Sequence, residues 1–112
     1  MDRTRLWVDD QRKPPDESWD WGRTFLTAVE LLITHGSVYD EFSLDHDLGE
    51  HEPTGFDFLR WVVLSRPDLL PRVIRIHSAN PVGAANMKAV IERSGLYPKI
   101  TMYGTGFLKG DL

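Results

Sequence analysis

The chain contains no cysteine, which excludes a disulfide framework, a thiolate-bound zinc and a thiol nucleophile. Positive charge is scarce: 13 Lys and Arg stand against 17 Asp and Glu, for a formal charge of −4. A grip on duplex DNA relies on neutralising many phosphates, so duplex DNA is not an expected partner. A small nucleotide or an RNA end held at a cation remains compatible with this balance. Long apolar runs are missing too. The longest, Trp61 to Leu64, is far short of the ~20 residues a membrane span requires, and no membrane partner is expected. Met1 to Arg5 hold no apolar stretch of the kind a secretion signal needs. Together with the lack of thiols, this makes the cytoplasm the expected location. No repeat, low-complexity tract or linker divides the sequence, so a single domain over residues 1–112 is expected.

What is present is ordinary globular material, 41% apolar and 27% charged. Leu6-Trp7-Val8 is a short continuous apolar run, as expected of a covered strand. It ends in Asp9-Asp10. Gln11 to Ser18 holds two adjacent prolines and four charges and reads as a loop. Trp19-Asp20-Trp21 alternates apolar and polar, the mark of a half-buried strand. A parallel crossover generally needs a dozen or more residues. The gap between these two strands is therefore too short for a helix, and a Pro-stiffened loop is expected in its place.

Phe25, Ala28, Val29 and Leu32 follow a helical stripe within Thr24 to His35, and Gly36 is a natural stop. Asp40 to Leu44 reads as the next strand. Thr54-Gly55-Phe56-Asp57 matches a capping box with Asp in the Glu position, opening a helix to about Ser65 with Phe56, Leu59, Val62 and Val63 inward. Pro67 and Pro71 bracket a turn before the strand Arg72 to Ile76. Asn80 followed by Pro81 is a favoured helix start. Val82, Ala85, Ala89 and Val90 are expected on the core face of that helix, which ends at Gly95. Lys99 to Tyr103 is a last strand. Gly104 to Phe107 reads as a turn, with a loosely ordered end from Leu108. Strands alternating with helices predict a mainly parallel sheet with helices on both faces. The expected fold class is α/β: a three-layer, flavodoxin-like sandwich of about five strands in order 2-1-3-4-5, its first helix replaced by a loop.

The chemistry-bearing residues gather where such strands end, and ligands bind beyond the carboxyl ends of strands in open α/β sheets. Ser43 to Gly49 releases Asp45, His46 and Asp47 at the end of one strand. Asp9 and Asp10 follow another, and adjacent parallel strands lie about 4.8 Å apart. Carboxylates at neighbouring ends can thus share a hard cation such as Mg2+ or Mn2+. Asp9, Asp10 and Asp45 are the leading candidate ligands. Asp47 either joins them or folds back on the Gly49 turn. His46 and His77, each at a strand end, are candidate proton carriers, since neutral imidazole both accepts and donates near pH 7. A hydrogen-bonded structural ring is the plainer reading of either. Ser78, Asn80 and Asn86 lie around a helix start, where free N–H groups favour phosphate, although Asn80 is fully explained as a cap. Arg12 is a candidate phosphate contact; Lys13 reads as solvated loop. Trp19, Trp21 and Trp61 read as core or wall, His35 as a helix end and His51 as surface loop.

An acidic pair after the first strand, Asp45 after the third and Ser78 after the fourth resemble a response-regulator receiver domain. In that likeness Asp9 and Asp10 match the metal-binding acids, Asp45 the phosphoacceptor and Leu48 the hydrophobe that follows it. The departures are the missing first helix, a long loop from Asp45 to Gly55 and no Lys-Pro after the last strand; Lys109 lies too far into the tail to match. More specifically, LWVDDQRKPP, SLDHDLG, TGFDFLRW and HSANPVGAANM together resemble the cyclic-phosphate processing receiver domain over nearly the whole chain. That resemblance implies metal-assisted processing of cyclic phosphates, on RNA ends or cyclic nucleotides, with His46, His77, Ser78 and Asn80 added to a receiver acid pocket. The alternatives are a module that binds a cyclic phosphate without turning it over, and a signalling receiver phosphorylated on Asp45.

Overall fold

A computed structural model describes residues 3–96 and 99–104; Gly104, expected to open a turn, instead ends the last strand, and the rest of that expected turn and the loose end from Leu108 lie outside the described residues. The elements run β1 (Arg5–Val8), β2 (Trp19–Gly22), α1 (Phe25–Thr34), β3 (Glu41–Leu44), α2 (Gly55–Ser65), a 3-10 turn (Pro67–Leu69), β4 (Val73–Ile76), α3 (Pro81–Arg93) and β5 (Thr101–Gly104). Every neighbouring pair is parallel, in the order β2-β1-β3-β4-β5. This is the expected α/β receiver-like fold, with the Gln11–Ser18 loop standing where a first helix would be. Strand limits differ from the expected ones by up to two residues, as strand ends generally do.

The helix starts form as their sequences dictate. Thr24 accepts from the Thr27 N–H, Thr54 and Asp57 close a reciprocal capping box, and Asn80 accepts from the Gly83 N–H at 3.0 Å ahead of Pro81. The inward faces differ in part from expectation. In α2 the buried residues are Gly55, Phe58, Leu59 and Val62, with Phe56 and Val63 only half-buried at the flanks. In α3 they are Gly83, Ala84, Met87 and Ile91, whereas Val82 and Ala85 are exposed and Ala89 and Val90 half-buried. With small residues scattered around α3, the few larger apolar side chains cannot report its phase on their own.

The register shows where the core sits. Leu6, Phe42, Ile74 and Met102 share one cross-strand row, and Val8, Leu44 and Ile76 share another. These rows point at the helices, which pack in sequence α1 on α2 and α2 on α3, and join one hydrophobic cluster with Leu32, Phe58 and Ile91. The three helical connections all step the same way across the sheet. Right-handed crossovers therefore place α1, α2 and α3 on one face. Only the first connection steps the other way, and it is the loop. Among the described residues the opposite face accordingly carries no helix, and the third layer of the expected sandwich is not among them. The row Trp7, Trp21, Ser43, Arg75 and Tyr103 lies on that face.

Candidate functional site

One residue beyond β1, β3 and β4 the chain reaches Asp9, Asp45 and His77. The parallel ladder continues to this rim: the Asp45 N–H donates to the Val8 carbonyl at 2.8 Å and the His77 N–H to the Leu44 carbonyl at 3.0 Å. Asp9, Asp10 and Asp45 each bring a carboxylate oxygen within 4.8 Å of one another. Asp9 is 1% exposed, and Asp10 and Asp45 are half-buried. Burial pushes the Asp45 carboxyl above its ordinary range, and the Asp9 charge adds to that shift. A cation is what such crowded, partly dehydrated carboxylates lack, and hard oxygen donors suit Mg2+ or Mn2+. The donor set therefore fits the expected metal. An open pocket of about 370 Å³ adjoins it, lined by Asp10, Gln11, Asp45, Asp47, Gly49 and Glu50.

Asp47 lines this pocket but stands outside the three-acid cluster. Its Oδ1 lies 3.0 Å from His46 Nδ1, so it is wired to the imidazole. Among the described residues His46 Nε2 has no hydrogen-bond partner. Two glycines fix the strand-end segment that carries these groups. A Cβ on Gly55 would run into the Asp45 carbonyl, and one on Gly83 into the His46 ring. Glycine at the first turns of α2 and α3 thus lets both helices close on Asp45-His46 from either side. The Gly55 N–H completes the seat by donating to the His46 carbonyl at 2.7 Å.

His77 is wired differently. Its Nε2 lies 2.9 Å from Asp9 Oδ2, its Nδ1 2.8 Å from Ser43 Oγ, and its ring stacks on Trp7 at 4.1 Å and 8°. Both nitrogens are engaged. Burial lowers the His77 pKa from its ordinary 6.5, more than offsetting the pull of Asp9 in the other direction. The ring is thus held on both edges by strand side chains and on its face by an indole.

The expected phosphate contacts divide. Ser78, 3% exposed, accepts from the Asn80 N–H at 3.0 Å, and Asn80 Oδ1 caps α3, leaving the Asn80 amide N–H2 as a donor beside the helix start. Arg12 is exposed, and its backbone N–H donates to Asp9 Oδ1 at 2.9 Å, which sets the residue beside the rim. Asn86 is exposed on the second turn of α3, on the side away from the buried stripe, and does not join the helix start. His51 is an exposed loop residue and His35 ties the end of α1 to the Arg3 carbonyl at 2.6 Å, both as expected. Ser43 and Trp7 enter the site without having been singled out from the sequence. The signal was available for Ser43: a hydroxyl between Phe42 and Leu44 must face away from the apolar side of its strand.

Acids after β1 and β3 and a buried hydroxyl after β4, on a five-stranded parallel sheet of this order, define a receiver-like α/β domain. The family model of the cyclic-phosphate processing Receiver domain matches residues 4–93. The chain belongs to that family. Searches of curated proteins and of solved structures found no match. Among the described residues no helix is long and apolar enough to cross a membrane.

Proposed function

We propose that this domain is a divalent-metal-dependent phosphoesterase that opens cyclic phosphates, either cyclic nucleotides or 2′,3′-cyclic phosphates at RNA ends. The observation that carries this reading is the convergence of Asp9, Asp10 and Asp45 beside a histidine with one nitrogen unengaged. Asp9, Asp10 and Asp45 would hold Mg2+ or Mn2+, which supplies Lewis-acid polarisation of a phosphoryl oxygen.

The chain's own groups account for the remaining requirements. Hydrolysis adds water to phosphorus, breaks one P–O bond of the ring and delivers a proton to the departing oxygen. His46 suits that delivery, because Asp47 on Nδ1 fixes the ring and leaves Nε2 to exchange the proton. The N–H groups at the start of α3, the Asn80 amide and Arg12 would hold the other phosphoryl oxygens. Cytoplasmic location is consistent with this chemistry.

The test is incubation of the purified protein with Mn2+ and 2′,3′-cyclic nucleotides, with phosphomonoester formation as the readout. Turnover is expected in the wild type, and Asp45→Asn is expected to abolish it. Tight binding of the cyclic nucleotide with no turnover would instead favour a binding module. An 80-dalton adduct on Asp45 after treatment with acetyl phosphate and Mg2+ would favour a signalling receiver.

A further inference from the structure

We propose that Ser43, acting through His77, fixes the direction in which Asp9 presents its carboxylate, so that Ser43 and His77 are positioning residues for the cation; this rests on the metal-dependent reading above. A carboxylate has about four lone-pair sites and no proton to give. Asp9 Oδ1 accepts from the Gln11 and Arg12 N–H groups, both at 2.9 Å. Oδ2 accepts from His77 Nε2 at 2.9 Å. Three sites are filled, and the remaining lone pair lies on Oδ2. Its direction follows from where His77 stands.

The position of His77 is in turn over-determined. Because Asp9 only accepts, Nε2 carries the ring proton. Nδ1 is then an acceptor, and the Ser43 hydroxyl donates to it at 2.8 Å. The Trp7 indole lies flat on the ring and is tied by its own N–H to the Arg12 carbonyl at 2.7 Å. Arg12 is the residue whose N–H holds Asp9 Oδ1. The contacts therefore close a circuit: Asp9, Arg12, Trp7, His77 and back to Asp9, with Ser43 as the outer brace. The circuit spans β1, β3 and β4 and sits over the helix-free face. Ser43, His77 and Asp9 have the composition of a nucleophilic triad, but Ser43 is 3% exposed and no substrate reaches its hydroxyl. Its place is behind the ligand rather than in front of the phosphate. Outer partners of metal ligands act in this way, fixing tautomer and orientation.

Two measurements on the full chain test the circuit, with Ser43→Ala and Ser43→Thr as variants. Long-range 1H–15N spectra without metal report the His77 tautomer. The Nε2–H form is expected in the wild type and Ser43→Thr, and a mixture with Nδ1–H in Ser43→Ala. Mn2+ alone, titrated by electron paramagnetic resonance, reports the ligand. Loss of an outer partner typically weakens metal binding ~10–100-fold. Ser43 is one bond further out, so a loss of about 3–10-fold is expected for Ser43→Ala, with recovery in Ser43→Thr. A residue that merely filled space would shift the melting temperature and leave tautomer and affinity alone. Unchanged tautomer and unchanged Mn2+ affinity in Ser43→Ala would overturn the proposal, as would an Nδ1–H ring in the wild type. A wild type with the expected tautomer that binds no Mn2+ would sink the metal-dependent reading itself, and the positioning role with it.

Discussion

The side chains of His46 and His77 are each 17% exposed, yet they are built into the rim in opposite ways. His77 sits over the helix-free face of the sheet, where strand side chains hold both nitrogens and an indole holds the ring. His46 sits between the first turns of α2 and α3, touched closely at Gly83 but hydrogen-bonded on one nitrogen only. On the proposed reading, exposure alone does not separate a proton carrier from a brace, whereas the count of engaged nitrogens does. The comparison breaks most visibly in kinetics. A positioned general acid or base contributes ~10²–10⁴-fold, and His46→Ala is expected to lose that much turnover of a cyclic phosphate. His77→Gln, whose amide can still donate to Asp9, is expected to lose far less. Equal losses in the two variants would erase the distinction between the two seats.

Much of this arrangement was legible in the sequence, and what was not has a physical cause. Strand ends announce themselves, because an apolar run such as Leu6-Trp7-Val8 stopping at Asp9-Asp10 marks both a buried strand and its rim. The caps at Thr54 and Asn80 were legible for the same reason: each is a local bond between residues three apart. The phase of α3 was not local. Gly83 faces inward because His46, 37 positions earlier, lies against it, and no pattern within the helix encodes that contact. Ser43, His77 and Asp9 likewise meet only through the pairing of three strands. Their residue types were visible, and the wiring among them was not.

The glycine that seats His46 gives the next test. Gly83→Ala places a methyl group against the imidazole, and overpacking of this kind costs about 1–3 kcal/mol. The ring is one side chain on a turn, so the expected response is displacement of His46. Denaturant unfolding is expected near the low end of that range, with a disproportionate loss of turnover. The parallel change on the other side, Ser43→Ala, leaves the His46 seat untouched. If Gly83→Ala instead lowered stability and spared turnover, His46 would not be the group that moves the proton.

The smallest effect has the opposite sign. Asp45 is held above its ordinary carboxyl pKa of 3.8 by burial and by Asp9. Between that ordinary value and the raised one, the folded protein binds more protons than the unfolded chain. Stability therefore falls as pH rises through this window, and the loss persists at neutral pH. His77, whose pKa is lowered, acts the other way: the unfolded chain binds its proton first, so stability drops as pH falls below about 6.5. The pH curve of the wild type mixes the two, and the difference between wild type and Asp45→Asn isolates the first. Without divalent cation, Asp45→Asn is expected to be more stable at pH 7 by about 0.5–1 kcal/mol, a figure kept small because the group is half-exposed and screened. That advantage should vanish below pH 4. Saturating Mn2+ should then reverse the order, because a ligand that binds only the folded state stabilises the protein that can hold it. A variant less stable than wild type at pH 7 without metal would mean that Asp45 serves the fold, not a cation.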